Sequence, residues 1–196
     1  MPELTAVLLL RLAGSFLLGS IPFAVLSMLG SGVDIRTVGS GNPGFNNVLR
    51  VSKPRALFCL AGDLGKGICA ILLLYRAAEP MSVAWLLGFA VVLGHCYSPF
   101  LRFNGGKGIA TSAGVMLVLY LKLALVCVAS YVLLRIVGKK LHWREDGALA
   151  SLASWALFAV LVFFTEGRHM ALFALVMFLI LTWRHRDNLQ RLAARR

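Results

Sequence analysis

Long apolar stretches alternate with short polar ones along the chain, at residues 4–29, 56–75, 81–101, 108–134, 148–165 and 169–183. Several reach the roughly 20 residues that an apolar helix needs to cross a bilayer. The pattern predicts membrane-spanning helices joined by short connections. The first stretch has no basic start, since Glu3 is the only charge before Arg11. It is also too long for a signal-peptide core, so it reads as a retained span.

The basic residues sit between these stretches. Arg36, Arg50, Lys53 and Arg55 form one group, Arg102 and Lys107 a second, and Arg135, Lys139, Lys140 and Arg144 a third. The tail carries Arg184, Arg186, Arg191, Arg195 and Arg196. The positive-inside rule places all four groups in the cytoplasm. The connections at 76–80 and 165–168 are short and nearly neutral, as outside turns should be. Residues 108–134 must then cross an even number of times, yet 27 residues make only about 40 Å of helix. Lys122, lodged between Leu121 and Leu123, marks the outside turn of two short helices. The expectation is an all-α integral membrane protein of about seven transmembrane helices, some short, with the N-terminus outside and the C-terminus cytoplasmic. One polytopic domain would cover residues 1–196.

Composition agrees. The 196 residues are 59% hydrophobic and 14% charged, with a mean hydropathy of +0.82. The net charge of +12 follows the loops between spans, so membrane orientation explains it better than nucleic acid. Cys59, Cys69, Cys96 and Cys127 all lie in apolar stretches without C-x-x-C spacing, and read as small buried residues rather than metal ligands or disulfides.

Three polar segments interrupt this pattern. Residues 39–44 spell G-x-G-x-x-G, but no strand feeds them and no βαβ unit surrounds them, so the dinucleotide fingerprint is excluded. Asn104-Gly105-Gly106-Lys107-Gly108 is not a P-loop, because Gly108 follows the lysine where Ser or Thr is required. Both remain glycine-rich loops able to turn backbone N–H groups toward an anion. Each has a fixed cation close by, Arg50 or Lys107, and neutral donors around it in Ser40, Asn42, Asn46, Asn47 and Asn104. The third segment, Gly62-Asp63-Leu64-Gly65-Lys66-Gly67, places charge inside the second span. Asp63 and Lys66 are i, i+3 partners, either a structural ion pair or part of a site, since charges at membrane depth face a bundle interior or a wet cavity.

These residues carry a resemblance. Gly39-Ser40-Gly41-Asn42-Pro43-Gly44-x-x-Asn47-x-x-Arg50 resembles the first motif of the bacterial acyl-phosphate:glycerol-3-phosphate acyltransferases. Gly94-His95-x-Tyr97-x-x-Phe100-x-x-Phe103-x-Gly105-Gly106-Lys107-Gly108-x-Ala110 is similar to their second, and Arg184-His185-Arg186-Asp187-Asn188-Leu189-x-Arg191-Leu192 to their third. Asp63-x-x-Lys66-Gly67 and Ser151-Leu152-Ala153-Ser154 match in the right order, so the likeness spans nearly the whole chain. It implies a multi-pass enzyme of the bacterial cytoplasmic membrane with its active site on the cytoplasmic side. The reaction implied moves a fatty acyl group from acyl phosphate to the 1-hydroxyl of glycerol 3-phosphate, giving lysophosphatidate and phosphate.

The resemblance further implies phosphate binding by Ser40, Arg50, Lys107 and Ser154, with Gly105, Gly106 and Gly108 shaping the loop. His185 and Asn188 join Lys107 and Ser40 as catalytic candidates, while Gly39, Gly41, Asn42, Asn47, His95, Asp63 and Lys66 support them. The chain departs from the family pattern in three places. Phe45-Asn46 stands where Ala-Thr is common, Asn104 where lysine is common, and the C-terminal Gly-x-Glu is missing.

The chemistry suits these residue types. Arg50 offers a planar fork for phosphate and Lys107 a mobile point charge. An acyl phosphate is already activated and G-x-S-x-G is absent, so direct attack by the glycerol hydroxyl is expected, without an acyl-enzyme. The base is open among His185, His95 and the acceptor's own phosphate. His142 and His169 lie in connections and read as ordinary. No cofactor or metal is expected, because no carboxylate cluster exceeds the neighbours Glu145-Asp146 and no D-x-x-D-G run appears. The partners expected are the two substrates and membrane lipid. The alternative is an organic-phosphate transporter, but its site would sit at the midplane between repeats, whereas these motifs gather at the ends of spans. A lipid-binding scaffold would not need three such motifs.

Overall fold

The computed structural model describes residues 5–194 and is helical. Five apolar segments are long enough to cross a membrane: Ala6–Ser27, Lys53–Leu74, Met81–Leu101, Leu121–Lys140 and Asp146–Glu166. The chain is an all-α membrane protein. It packs as two compact units divided between Leu119 and Tyr120.

In the first unit, α1 (Ala6–Ser20) is capped by Thr5, whose hydroxyl accepts from Leu8 N–H. It breaks at Ile21-Pro22, and the short α2 (Phe23–Ser27) follows. Proline has no N–H and blocks the preceding turn, so the break is local chemistry. A loop leads to α3 (Phe45–Val51) and then to α4 (Lys53–Leu74), which begins at Pro54 in its first turn. α4 runs unbroken through the glycine-rich charged segment, so the interruption visible in the sequence is not one in the helix. α5 (Met81–Cys96) ends in a 3₁₀ turn at Pro99–Leu101, and α6 (Ile109–Leu119) is only 11 residues long.

Glycines set how closely these helices approach. A Cβ on Gly19 would strike the carbonyl of Val91, and one on Gly94 that of Phe16. The α1–α5 crossing is therefore closed by a glycine from each side. α4 and α6 repeat the device: Gly67 faces Thr111 O and Gly114 faces Leu64 O. Small residues at crossings are how membrane helices gain packing contact where lipid offers no hydrophobic drive. Polar ties add to it. Ser15 Oγ donates to Leu87 O across the α1–α5 crossing at 2.8 Å. Arg11 donates to Leu74 O at the end of α4 and pairs with Glu79, holding that carboxyl down at about 2.

The second unit contains α7 (Leu121–Lys140), α8 (Asp146–Glu166), α9 (Arg168–Arg184) and the short α10 (Arg186–Ala193). α8 packs on α7 and α9. Its Trp155 and Phe158 stack edge-on at 5.2 Å, with Tyr120 against Phe158 at 5.9 Å. The turn between α8 and α9 is Gly167 alone, at φ +83°.

The apolar run at 108–134 does divide in two, but at Tyr120 rather than at Lys122. Tyr120, at φ −141° and ψ 57°, is not helical, and Lys122 lies exposed in the first turn of α7. The second of the two helices is not short, since it continues to Lys140. Cys59, Cys96 and Cys127 are buried as expected, whereas Cys69 is exposed on α4; none of the four is in a disulfide.

Gly114→Ala should cost about 1–3 kcal/mol, because the added methyl meets backbone rather than a movable side chain. Gly65→Ala, on α4 with open space around it, should be neutral or gain stability through helix propensity. Thermal midpoints of the two variants in one detergent check the contrast.

Candidate functional site

The first glycine-rich loop is built around Asn47, which is buried although polar. Its Oδ1 accepts from Ser40 N–H at 3.0 Å, and its Nδ2 donates to Ile35 O at 2.9 Å and Val38 O at 3.0 Å. One side chain on α3 thus fixes the loop seven to twelve residues upstream. Gly39 and Gly41 have φ of +60° and +67°, and a Cβ on Gly39 would strike Asn47 Oδ1. Both constraints demand glycine. The loop's approach is set by Asp34, whose carboxyl is held down to about 2 by hydrogen bonds from the Arg36 guanidinium and backbone N–H. Ser40 and Arg50 are both exposed, Arg50 from the last turn of α3.

The second loop closes on the end of α5. Gly105 N–H donates to Cys96 O and Gly106 N–H to His95 O, at 3.0 and 3.1 Å. A Cβ on Gly106 would strike His95 Nε2 and approach Pro43 O, so the first loop and the imidazole both crowd this glycine. Gly108, at φ +83°, turns the chain into α6 immediately after the part-buried Lys107.

The N–H groups of Ser40, Gly41, Gly44, Gly105 and Gly106 are all engaged inside the loops. The glycines shape the loops.

Behind the loops lies a buried charge cluster. Asp63 and Lys66 are 2% and 3% exposed, with Oδ1 to Nζ at 2.9 Å. His95 Nδ1 stands 3.4 Å from the same oxygen, and Cys59 Sγ donates to Oδ2 at 3.6 Å. Lys66 also donates to Ile21 O at 3.1 Å, and Ser98 Oγ donates to Ser20 O at 2.6 Å. Both carbonyls lie where α1 breaks before Pro22. A small cavity here is lined by Pro43, Asp63, Lys66, His95, Ser98 and Gly106, among others. Ser98 was not singled out in the sequence. The signal that could have found it is Pro22 itself, since a proline break in an apolar run leaves carbonyls that need donors.

In the second unit, Ser154 is buried on α8, and its Oγ has no hydrogen-bond partner among the described residues. Ser151, one turn earlier, bonds back to Gly147 O. His185 is buried at the corner between α9 and α10, with Nδ1 2.8 Å from Leu181 O. A carbonyl can only accept, so Nδ1 carries a proton in this contact. Asn188 is buried on α10 and donates to Glu145, which also accepts from Arg191. Glu145 was weighed in the sequence only as a metal ligand, and no spacing rule links it to a residue 43 positions away. Arg191 is raised by its bond to Glu145. His142 and His169 are both exposed, His169 against the Phe173 ring. Among the described residues no three His, Cys, Asp or Glu side chains gather as a metal site.

A family model described as glycerol-3-phosphate acyltransferase matches residues 9–195. The glycerol-3-phosphate acyltransferase of Azotobacter vinelandii is 39% identical over 184 residues, covering 93% of this chain and 94% of that one. The enzyme of the same description from Pseudomonas entomophila is 38% identical over 185 residues, covering 93% and 94%. The crystal structure of PlsY (YgiH), an integral membrane glycerol 3-phosphate acyltransferase in its glycerol 3-phosphate form, superposes with a TM-score of 0.81 at 31% identity. That match covers 95% of this chain and 92% of the other.

Removing one member of the buried pair leaves the other charge uncompensated, which costs about 3–5 kcal/mol. Asp63→Ala should therefore lower the thermal midpoint sharply. Asp63→Ala with Lys66→Met should recover most of that loss, because no lone charge remains. A double variant no more stable than Asp63→Ala would show that the two charges are not coupled.

Proposed function

The chain belongs to the glycerol-3-phosphate acyltransferase family, and we infer that it transfers a fatty acyl group from acyl phosphate to the 1-hydroxyl of sn-glycerol 3-phosphate. The products are lysophosphatidate and phosphate. The observation that carries this reading is the match along almost the whole chain, in sequence and in fold, to enzymes of that description.

The chemistry proceeds by direct attack. The glycerol oxygen forms a bond to the acyl carbonyl carbon, the bond from that carbon to the phosphate oxygen breaks, and its electron pair leaves with phosphate. The hydroxyl proton passes to a base. His185 is one candidate for accepting that proton or orienting the hydroxyl, and the acceptor's own phosphate is the other. Arg50 grips phosphate through two parallel N–H bonds, while Lys107 follows the charge as it moves to the leaving group. Ser40 and Ser154 add hydroxyl donors, and Asn188 a carboxamide. Gly39, Gly41, Asn42 and Asn47 shape the first loop, and Gly105, Gly106 and Gly108 the second. Asp63, Lys66 and His95 support both from behind, and His95 is assigned this role because its ring is packed between Asp63 and Gly106. No metal has a part in this reading.

The proposed topology has seven crossings, by α1 with α2, α4, α5, α6, α7, α8 and α9. The break at Tyr120 supports the even count that the basic groups require. The N-terminus is then outside, and both glycine-rich loops and the C-terminal helix face the cytoplasm of a bacterial inner membrane. Residues 1–196 serve as one catalytic domain.

Purified protein in detergent, given palmitoyl phosphate without added metal, should release phosphate only when glycerol 3-phosphate is present. Arg50→Ala should lower that rate about a hundredfold, the scale of losing one oriented charge contact. Release without the acceptor would point to a phosphatase or an acyl-enzyme. No release from well-folded protein would favour an organic-phosphate transporter.

A further inference from the structure

Two rings of the second motif have no part in phosphate chemistry. Phe100 and Phe103 lie on the turn that follows α5, 63% and 64% exposed. The membrane-length segment Met81–Leu101 ends inside this turn. Its inner side is fixed. Ser98 and Leu101 are buried and line the small cavity, and Ser98 Oγ is tied to Ser20 O. Phe103 N–H donates to Ser98 O at 2.8 Å, Arg102 N–H to Pro99 O at 3.2 Å and Asn104 N–H to Leu101 O at 3.0 Å.

These bonds hold Arg102 and Phe103 left-handed, at φ 51° and 61°. Such backbone favours glycine, and a bulky aromatic residue in it is an outlier. Strain of this kind persists where the surroundings over-determine it and the side chains have a use. The outward side chains are Phe100, Arg102 and Phe103, all exposed. Among the described residues the Arg102 guanidinium has no hydrogen bond or ion pair. Two apolar rings flanking one cation at the end of a span fit one partner, a phospholipid with an anionic headgroup. Its tails accept the rings and its phosphate accepts the guanidinium.

We propose that the turn at residues 99–103 is a contact site for anionic phospholipid, with Phe100 and Phe103 among the acyl chains and Arg102 on the lipid phosphate. The same turn leads into the second glycine-rich loop, whose Gly105 and Gly106 bond to the last carbonyls of α5. A turn seated in the leaflet therefore seats the Lys107 loop with it, at the surface where acyl phosphate is dissolved. This last step rests on the acyl-transfer reading of the chain.

Phe103→Trp in lipid nanodiscs tests the contact, with the emission of the four native tryptophans subtracted from a wild-type sample. The added emission should be quenched by phospholipid brominated in its tails and little by iodide in the water. Brominated phosphatidylglycerol should quench as well as brominated phosphatidylcholine at roughly one-fifth of its mole fraction, the preference that one basic side chain gives. Arg102→Gln should abolish that preference. Quenching by iodide and not by bromolipid overturns the proposal, as does a preference that survives Arg102→Gln. If Phe103→Trp does not fold, Phe100→Trp takes its place with the same expectations. For the link to the loop, serine at both 100 and 103 should raise KM for palmitoyl phosphate in bilayers at least about threefold, with kcat within about twofold. Leucine at both positions stays apolar and should keep the wild-type KM. An unchanged KM in the serine pair, or a loss that simply follows the thermal midpoint, overturns the link. The quenching needs no turnover, so wild-type protein without acyl transfer would remove the reading of activity and leave the lipid contact to be decided by the quenching.

Discussion

A buried carboxylate organises the first unit. Asp63 lies on a helix that spans apolar surroundings, where an unpaired charge is too costly to persist. Lys66, one turn along the same helix, answers it, and His95 reaches the same oxygen from α5. Lys66 then has hydrogen-bonding capacity left and donates to Ile21 O, at the break in α1. The consequence is that three chain segments are held around one anion. The second glycine-rich loop inherits its position from this, because Gly105 and Gly106 bond to the last carbonyls of α5 and pack on the His95 ring. Such a cluster is weak as a source of stability but strong as a constraint, since misplacing any member strands a charge.

The two glycine-rich loops reach similar ends by different means. In the first, a buried side chain, Asn47, substitutes for secondary structure and ties three backbone groups together. In the second, backbone bonds to the end of a helix do the same work. In both, the glycines permit left-handed turns and close approach, and the N–H groups of Ser40, Gly41, Gly44, Gly105 and Gly106 are engaged internally. What the loops offer outward is therefore side chains on a fixed frame, the arrangement that positioning and charge stabilisation require.

Much of this was legible before any coordinates. Apolar length marked the long helices, and loop charge with parity argued that residues 108–134 must divide. The i, i+3 spacing of Asp63 and Lys66 foretold their pairing. The errors share one cause, which is that local composition says little about where backbone groups find partners. Glycines and charges interrupt the apolar run of α4, and there the charges pair along the helix while Gly67 and Gly62 admit neighbours. Lys122 looked like a turn, whereas the non-helical residue is Tyr120 and the lysine is free to extend from the first turn of α7. Ser98 and Glu145 were invisible because each matters through a residue tens of positions away.

The brevity of α6 has a consequence for the surrounding lipid. Its 11 residues rise about 16 Å, roughly half the thickness of a bilayer's hydrocarbon core. A mismatch of that size is met by drawing the polar loop inward or by thinning the bilayer beside it. On the proposed topology, drawing the loop inward brings Lys107 and its glycines to the depth of acyl chains rather than of bulk water. An amphiphile can then meet the loop by lateral diffusion, with its tail still dissolved in the leaflet. Its supply is counted per area of membrane, and the encounter is a two-dimensional search.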